Sequence, residues 1–153
     1  MSTKDIYNFI KVSDQISTGG QPTEDQLRSA AAEGFTTVIN LATLDERSSL
    51  KDEAGLVGSL GMHYTHIPVD WENPKEIDFE AFERTMKQLP PGKTMLHCAA
   101  NYRVTAFYAL YAQKNLGWSE VQAEAFRLQI WKGRHYPVWE EFIKKMRAKI
   151  TNK

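Results

Sequence analysis

The segment around the only cysteine constrains the fold more than any other part of the sequence. Cys98 stands within Leu96-His97-Cys98-Ala99-Ala100-Asn101-Tyr102-Arg103, between an apolar run over 94–96 and an amphipathic run over 104–116. This pattern predicts a strand, a tight loop and a helix, in that order. A thiol in such a loop meets the positive end of a helix and a guanidinium, and both favour the nucleophilic thiolate. The loop amides are also suited to holding an oxyanion.

A buried structural cysteine is the alternative interpretation, because free cysteine is often fully buried. It accounts for the thiol, but not for His97 directly before it, Arg103 shortly after it, or the strand–loop–helix setting. We therefore interpret the segment as a reactive loop with Cys98 as its candidate nucleophile. Asn101 fits this interpretation, since asparagine tolerates the positive φ that such loops need.

Strand patterns and helix patterns alternate along the rest of the chain. The β-branched run over 36–41 predicts a buried strand, and further strands are predicted over 63–69 and 93–97. Thr23 and Gln26 form a capping-box pattern for a helix that ends before Gly34. Other helices are predicted over about 49–60, 79–89 and 104–116, and from Ser119 and Pro137 onward. This alternation predicts an α/β protein with a single central, mostly parallel sheet flanked by helices, in one domain over residues 1–153.

The fold class also predicts where a site lies. Ligands of open parallel sheets bind at the carboxyl ends of the strands, where Cys98, Asp70 and the loop after Leu41 are expected to meet. Two helices carry apolar stripes that are predicted to face the core. The stripes are Val121, Ala125 and Leu128 in the helix capped by Ser119, and Trp139, Phe142, Ile143, Met146 and Ile150 in the last helix.

Composition and charge exclude several classes of function. Lys plus Arg and Asp plus Glu number 19 each, so no basic excess favours binding to nucleic acid or to an anionic membrane. One cysteine leaves no internal disulfide framework and no cysteine-rich zinc site. His63 and His66 lie three apart on a predicted strand and so face opposite sides, which excludes a metal site there. The sequence has no run long enough to span a bilayer and no signal-peptide core, which predicts a cytoplasmic protein and leaves its oligomeric state open.

Several segments resemble the cysteine-dependent protein phosphatases. His97-Cys98 and Arg103 resemble their HC-x5-R loop, and Ile67-Pro68-Val69-Asp70 resembles the segment that carries their general acid. The stretches over 16–22 and 34–41 are similar to the N-terminal half of dual-specificity phosphatases. The sequence is most similar to a bacterial phosphatase-like family of unknown function, which also forms the N-terminal part of beta-lactamase hydrolase-like proteins. The resemblance spans most of the chain and implies the dual-specificity phosphatase-like fold.

The resemblance implies a role for each matching residue. Cys98 would attack phosphorus to form a phosphocysteine, and Arg103 would hold two nonbridging oxygens through its planar fork. Asp70, 28 residues before Cys98, would protonate the leaving oxygen, and Glu72 is its obvious substitute. The phosphate would be bound by the loop residues Ala99, Ala100, Asn101, Tyr102 and Arg103.

Supporting roles are implied for further residues. His97 would hydrogen-bond backbone around the loop and favour the thiolate. Glu46 resembles an acidic position of the bacterial family, and Trp71, beside Asp70, would wall the mouth of the site. Gln129 and His135 are candidates for a water-orienting and a substrate-contacting residue, although exposed surface positions account for both.

The loop departs from the phosphatase pattern by one residue. Four residues, rather than five, separate Cys98 from Arg103. Rhodanese-type sulfurtransferases also have loops one residue shorter than those of related phosphatases. In a second register, Thr105 takes the position of the hydroxyl residue that hydrogen-bonds the thiolate in phosphatases. The sequence leaves the two registers open.

Three functions follow from these features. The first is a metal-independent, cofactor-free hydrolase of phosphomonoesters, with a phosphorylated small molecule or a phosphoprotein as its substrate. The second is a rhodanese-like sulfurtransferase that carries a persulfide on Cys98 and needs no acid at Asp70. The third is an oxyanion-binding module without turnover, in which Arg103 and the loop amides bind the anion.

Overall fold

A computed structural model describes residues 2–44 and 49–151 of the chain. A short 3-10 helix over Thr3–Asp5 comes first. The strands are β1 (Ile10–Lys11), β2 (Ile16–Gly19), β3 (Phe35–Asn40), β4 (His63–His66) and β5 (Lys93–His97). The helices are α1 (Glu24–Ala32), α2 (Glu53–Ser59), α3 (Glu76–Lys87), α4 (Tyr102–Asn115), α5 (Glu120–Trp131) and α6 (Pro137–Thr151).

The strands form one sheet in the order β1-β2-β5-β3-β4. β1 is antiparallel to β2, whereas the pairs β2–β5, β5–β3 and β3–β4 are parallel. The mostly parallel sheet flanked by helices that the sequence predicts is therefore confirmed. β5 lies in the middle, between β2 and β3, so the loop after β5 opens where the parallel strands end.

Side-chain caps set the start of α1 and α2. The Thr23 hydroxyl accepts from the Gln26 amide at 3.1 Å and the Gln26 side chain accepts from the Thr23 amide at 2.9 Å, which is the capping box predicted for α1. α2 begins at Glu53, later than predicted. The reason is that Asp52 caps it by accepting a hydrogen bond from the Gly55 amide at 3.1 Å.

Strand β4 is shorter than predicted, yet the chain after it stays attached to the sheet. The strand ends at His66. The Ile67 amide then donates to the Asn40 carbonyl at 2.9 Å, and the Val69 amide donates to the Leu41 carbonyl at 3.0 Å. These bonds bring the following residues, starting with position 70, to the carboxyl edge of the sheet.

Helix α4 lies within the larger hydrophobic core and packs against α5 and α6. Its residues from Arg103 to Ala112 are all buried. The predicted stripe of α6 is confirmed, because Trp139, Phe142, Ile143 and Met146 are buried and Ile150 is partly buried against the core. In the described ranges, none of the helices is long and apolar enough to cross a membrane.

The prediction of which face of α5 is buried is wrong. Val121 is 80% exposed, Leu128 is 43% exposed, and Ala125 is exposed as well. The buried face consists of Ala123, Phe126, Arg127, Ile130 and Trp131. This orientation buries two aromatic rings and an isoleucine, which remove more apolar area from water than a valine, an alanine and a leucine.

Candidate active site

Three strand ends meet at the loop that follows β5. The Cys98 amide donates to the carbonyl of Gly19, at the end of β2, at 3.3 Å. The amide of Leu41, just past β3, donates to the His97 carbonyl at 2.8 Å. These bonds fix Cys98 at the carboxyl edge of the sheet, close to the first residue of α4, Tyr102.

A cavity of about 550 Å³ opens over this loop. Its floor holds Cys98 and Arg103, which are 1% and 4% exposed. Asp70 and Glu72 reach the same cavity from the segment after β4. The lining residues are Tyr7, Thr43, Asp70, Trp71, Glu72, Cys98, Ala99, Ala100, Tyr102, Arg103, Arg134 and Tyr136. The fold thus places all three candidate catalytic residues around one space.

Asn101 makes the turn of the loop. Its φ is 71°, the left-handed conformation that the sequence predicts for it, and its side chain is buried. Nδ2 of Asn101 donates to the Asn8 carbonyl at 2.8 Å and to the Thr18 hydroxyl at 3.0 Å. In return, Nδ2 of Asn8 donates to the Ala100 carbonyl at 2.9 Å. This reciprocal pair of amides holds the loop against the N-terminal segment.

The loop carbonyls face that N-terminal segment. The Ala99 carbonyl accepts from the Gln21 amide at 2.9 Å. Because a trans peptide directs its N–H opposite to its C=O, the amide of Ala100 points away from the segment. A Cβ at Gly20 would lie 2.6 Å from the Ala99 oxygen, so glycine is required for this close approach. The arrangement orients the Ala100 amide for an anion.

Arg103 connects the loop to the segment that carries the candidate acid. Nη1 of Arg103 donates to the Val69 carbonyl at 3.0 Å in a buried contact. Two residues later, the Trp71 carbonyl accepts from Nε1 of Trp139 at 2.7 Å. The backbone is therefore held on both sides of Asp70, once by the guanidinium beside Cys98 and once by α6.

The carboxylate of Asp70 lies exposed at the edge of the cavity. Its Oδ1 accepts from the Glu72 amide at 2.9 Å, an Asx-type turn that restricts its orientation. Glu72 is exposed and also lines the cavity. Both candidates for the general acid therefore reach the space above Cys98.

A buried carboxylate, which no sequence pattern predicts, lies behind the loop. Nε2 of the fully buried His97 lies 2.5 Å from Oε2 of Glu53, and Nδ1 lies 3.1 Å from the Cys98 carbonyl oxygen. Glu53 is 4% exposed, and its other oxygen accepts from Nε2 of Gln21 at 2.8 Å. His97 thus bonds the loop backbone as predicted, but its second partner comes from α2, and no local sequence pattern links the two positions.

The hydrogen bonds favour the ionised form of the Glu53 carboxyl. Burial acts most strongly on this carboxyl and disfavours its ionised form. The hydrogen bond and charge of His97, with the hydrogen bond from Gln21, outweigh burial and hold the pKa of Glu53 below its ordinary value. Each ring nitrogen of His97 faces an oxygen that accepts hydrogen bonds, from the Glu53 carboxylate on one side and from the Cys98 carbonyl on the other. These contacts anchor the ring against the backbone of Cys98.

Thr105 supports the loop rather than the sulfur. Its hydroxyl donates to the Asn101 carbonyl at 2.7 Å, one helical turn earlier, and accepts from Nε1 of Trp131 at 3.1 Å. The single hydroxyl proton is therefore used on the loop backbone. The hydrogen bond to the thiolate that the second register predicts for Thr105 is replaced by this one.

The remaining candidate residues differ in whether they reach the cavity. Trp71 lines the cavity, as predicted. Glu46 lies outside the described residues. Gln129 and His135 are exposed and do not contribute to the described lining.

Three aromatic side chains and an arginine form one side of the cavity. Trp71, Tyr102 and Tyr136, here called the aromatic wall, meet edge to face with ring centroids 5.0 to 6.0 Å apart. Nη1 of Arg134 donates to the Tyr102 hydroxyl at 3.1 Å. Arg134 and Tyr136 belong to the connection between α5 and α6, which approaches the loop only in the folded chain. No local sequence signal therefore assigns either of them to the site.

Comparison with known proteins identifies the family. A scan against models of protein families finds no match. The chain is, however, 34% identical to a putative phosphatase (DUF442) from Shewanella putrefaciens CN-32, with a TM-score of 0.86 over 96% of this chain and 95% of that one. The chain belongs to the DUF442 family. The resemblance to a bacterial phosphatase-like family that the sequence predicts is thereby confirmed.

More distant relatives agree in fold and in sequence. The structure of PTPMT1 in complex with PI(5)P matches with a TM-score of 0.75 at 18% identity, over 94% of this DUF442 chain and 97% of that one. This match shows the fold of the tyrosine and dual-specificity phosphatases. A beta-lactamase hydrolase-like protein of Agrobacterium fabrum is 28% identical over 104 residues, which are 66% of this chain. The chain spans about a quarter of the length of that relative, 24%.

Proposed function

We propose that this DUF442 protein is a phosphoric monoester hydrolase that uses Cys98 as its nucleophile. The observation that carries the proposal is the single cavity that Cys98, Arg103 and Asp70 share. A nucleophile, a charge clamp and a proton donor are the three groups that this reaction needs. The phosphatase fold of the chain and of its relatives supports the same reaction class.

In the first half of the reaction, the Cys98 thiolate attacks phosphorus and forms an S–P bond. The bond between phosphorus and the ester oxygen breaks, and the oxygen leaves with the electron pair and takes the proton of Asp70. The start of α4 favours the thiolate that begins this step, and His97 holds the backbone beside it. The Arg103 fork and the loop amides offset the charge on the nonbridging oxygens.

In the second half, water attacks the phosphocysteine. The Asp70 carboxylate accepts a proton from the water, a new P–O bond forms, and the S–P bond breaks to restore the thiolate and release inorganic phosphate. No oxidant, metal or organic cofactor takes part. The bond from Arg103 to the Val69 carbonyl links the phosphate clamp to the acid, so that both steps use one preorganised arrangement.

Hydrolysis of a generic aryl phosphate between pH 5 and 8 tests this proposal, with wild type and Cys98→Ser assayed side by side. Release of phosphate that the serine variant lacks would support Cys98 as the nucleophile. Equal rates for both proteins, or no release by the folded wild type, would contradict it. In the latter case, retained affinity of both proteins for inorganic phosphate would favour the oxyanion-binding module.

Sulfur transfer is a second candidate function, and the length of the loop favours it. Only four residues separate Cys98 from Arg103, which makes a smaller cradle than that of the phosphatases. The thiolate would attack the sulfane sulfur of thiosulfate, whose S–S bond breaks with its electron pair on sulfite, leaving a persulfide on Cys98. Cyanide would then take the outer sulfur as thiocyanate. Thiocyanate formation no faster than that of Cys98→Ser would exclude this activity with thiosulfate.

The class of phosphorylated substrate is also a proposal. The PTPMT1 structure contains a phosphorylated small molecule, PI(5)P, and the nucleophile here is deeply buried. Both features favour a phosphorylated small molecule over a phosphoserine or phosphothreonine protein, whose short side chain would have to reach the floor of the cavity. Comparison of phosphotyrosine peptides, phosphoserine peptides and small phosphate esters as substrates would test this preference.

A further inference from the structure

The cavity is larger than one phosphoryl group requires. Its volume of about 550 Å³ lies in the range of pockets that enclose a whole small-molecule ligand. The reacting phosphate is expected at the floor, with Cys98 and Arg103. The rest of the cavity is therefore available to bind the part of the substrate that lies beyond the phosphate.

A second cation lies on this cavity, away from the floor. Arg134 is exposed, and its Nη1 donates to the Tyr102 hydroxyl. This bond leaves most of the five N–H donors of a guanidinium available. Among the described residues no carboxylate pairs with Arg134, whereas the buried Arg127 on α5 pairs with Glu124 and Glu140.

The position of Arg134 relative to the floor is set by a single side chain. Tyr102 directly precedes Arg103 in the loop, and its hydroxyl holds Arg134 at 3.1 Å. One tyrosine side chain and one hydrogen bond therefore separate the second cation from the backbone of the phosphate cradle. The aromatic wall of Trp71, Tyr102 and Tyr136 flanks this span.

The aromatic wall is rigid enough to act as a binding surface. Trp71 packs against Trp139 with ring centroids 5.4 Å apart, and its carbonyl is held by the Trp139 indole. Trp131, which is fully buried, packs against Trp71 at 5.9 Å and against Tyr102 at 5.0 Å. The protein therefore loses little conformational entropy when a flat or cyclic group binds against this wall.

We propose that Arg134 binds a second anionic group of the substrate, which is a phosphomonoester with a ring-sized spacer between its phosphate and a carboxylate or second phosphate. This inference rests on the proposed function for the first phosphate only. Arg103 and Arg134 provide two separate cations for two anions, and the aromatic wall contacts the ring between them. Asp70 and Glu72 carry the negative charge of the same cavity, which restricts the second anion to the side of Arg134.

Calorimetric titration with non-hydrolysable ligands tests this subsite without any turnover. The matched probes are phenylphosphonate and 4-phosphonobenzoate, which differ by one carboxylate. We expect wild type to bind 4-phosphonobenzoate about tenfold more tightly, which corresponds to about 1.4 kcal/mol, and Arg134→Gln to lose that preference. Tyr102→Phe, which removes the hydroxyl that holds the guanidinium but keeps the ring, should lose part of it. Benzene-1,4-diphosphonate would show whether a second phosphate is preferred to a carboxylate.

Lys132→Gln is the control for charge alone. Lys132 is an exposed cation two residues before Arg134 and does not line the cavity. We expect this variant to keep the wild-type preference. Equal binding of both phosphonates by wild type, binding of neither, or the same loss in Lys132→Gln would overturn the inference.

Kinetics separate this inference from the proposed function. With phenyl phosphate and 4-carboxyphenyl phosphate as substrates, Arg134→Gln should raise the KM of the carboxylated ester about tenfold and leave its kcat, and both constants for phenyl phosphate, nearly unchanged. Binding selectivity without hydrolysis of either ester would support the subsite and contradict the phosphatase proposal. Hydrolysis of both esters with no effect of Arg134→Gln on either KM would support the phosphatase proposal and contradict the subsite.

Discussion

At the scale of single residues, the environment of His97 determines what the cysteine can do. The imidazole is held by groups that fix its position: Glu53 from α2, the Cys98 carbonyl, and Gln21 through Glu53. His66, on β4, also acts on the charge of Glu53, and Arg103, on α4, supplies the cation on the floor of the cavity. Glu53 is therefore a positioning residue, which acts on Cys98 through His97 and does not line the described cavity.

Replacing Glu53 with Gln should slow the alkylation of Cys98. A neutral amide pairs more weakly with the imidazole than the buried carboxylate does, so His97 holds the backbone of Cys98 less firmly in the loop conformation. We expect the rate of alkylation of Cys98 by iodoacetamide at pH 7 to fall about tenfold, which corresponds to about 1.4 kcal/mol. Because Cys98 is the only cysteine, the alkylated fraction reports on it alone.

The matched control for this variant is Glu83→Gln. Glu83 is also buried, at 8% exposure, but it pairs with Lys114 and Asn115, away from the site. The control should lower stability without changing the alkylation rate. An unchanged rate in folded Glu53→Gln would show that the carboxylate is only structural.

Replacing Asp70 with Asn should slow the loss of poor leaving groups. An amide cannot donate the proton that the leaving oxygen needs, and general acid catalysis contributes about 10²- to 10⁴-fold. We expect kcat to fall by that order with an alkyl phosphate and by much less with 4-nitrophenyl phosphate, whose oxygen leaves without a proton.

Glu72→Gln removes the other carboxylate of the cavity and is the control for Asp70→Asn. It should not change the dependence of kcat on the leaving group. If Glu72→Gln instead gives the effects expected for Asp70→Asn, the acid is Glu72.

At the scale of elements, the loop between β5 and α4 depends on a backbone conformation that few residues tolerate. Comparison of Asn101→Gly with Asn101→Ala isolates this requirement, because both variants lose the bonds from Nδ2 to Asn8 and Thr18. Alanine must also adopt a φ of 71°, which costs about 1–2 kcal/mol more than it costs glycine. The urea midpoint of Asn101→Ala should therefore lie below that of Asn101→Gly. Equal midpoints would show that the loop relaxes to another conformation.

Local signals predict most of the elements that position the site. The capping box of Thr23 and Gln26 depends on residues three apart, and the turn at Asn101 depends on one residue, so both are predictable from the sequence. The buried face of α5 is not. Its sequence offers two apolar stripes, and the choice of the stripe with Phe126 depends on what α4 and α6 present to it.

The unpredicted part of the site has a common cause. Glu53 pairs with a residue 44 positions away, and Arg134 bonds one 32 positions away. In the sequence each is an ordinary charged residue at the end of a helix or in a turn. Their partners are fixed only when the order of strands in the sheet brings α2 and the α5–α6 connection to the same edge. Pattern reasoning therefore identifies Cys98 and Arg103, which share one loop, and misses the residues that the topology adds.

At the scale of the whole molecule, a network of hydrogen bonds around the Glu124 carboxylate connects the last three helices. Glu124, on α5, accepts from Arg127 at 2.8 Å and from Arg147, on α6, at 2.8 Å. Arg147 in turn donates to Gln113, on α4, at 3.0 Å. The hydrogen bond from Arg127 is the largest influence on Glu124. With that from Arg147, it outweighs burial and lowers the pKa of Glu124 to about 2.

Several carboxyl groups have pKa values that are lowered in the folded state, and this makes the folded state sensitive to acid. The pKa values of Glu53 and Glu83 are lowered as well, because their hydrogen bonds and neighbouring charges outweigh burial. A carboxyl whose pKa is lower in the folded state binds its proton more readily when unfolded. Its contribution to stability is therefore complete above its ordinary value of 4.5 and is lost as the pH falls through the folded-state value.

Urea unfolding followed from pH 7 to pH 2.5 tests this consequence for the three-helix network. The midpoint of wild type should change little down to about pH 5 and then fall steeply, since protons bind preferentially to the unfolded chain in that range. Glu124→Gln should cost about 1–2 kcal/mol at pH 7, because the amide pairs more weakly with Arg127 and Arg147. Its midpoint should also fall less than that of wild type between pH 5 and pH 2.5, because one of the shifted carboxyls is gone. Parallel pH profiles for the two proteins would show that Glu124 titrates alike in the folded and unfolded states, and that the bonds joining α5 to α6 do not depend on its charge.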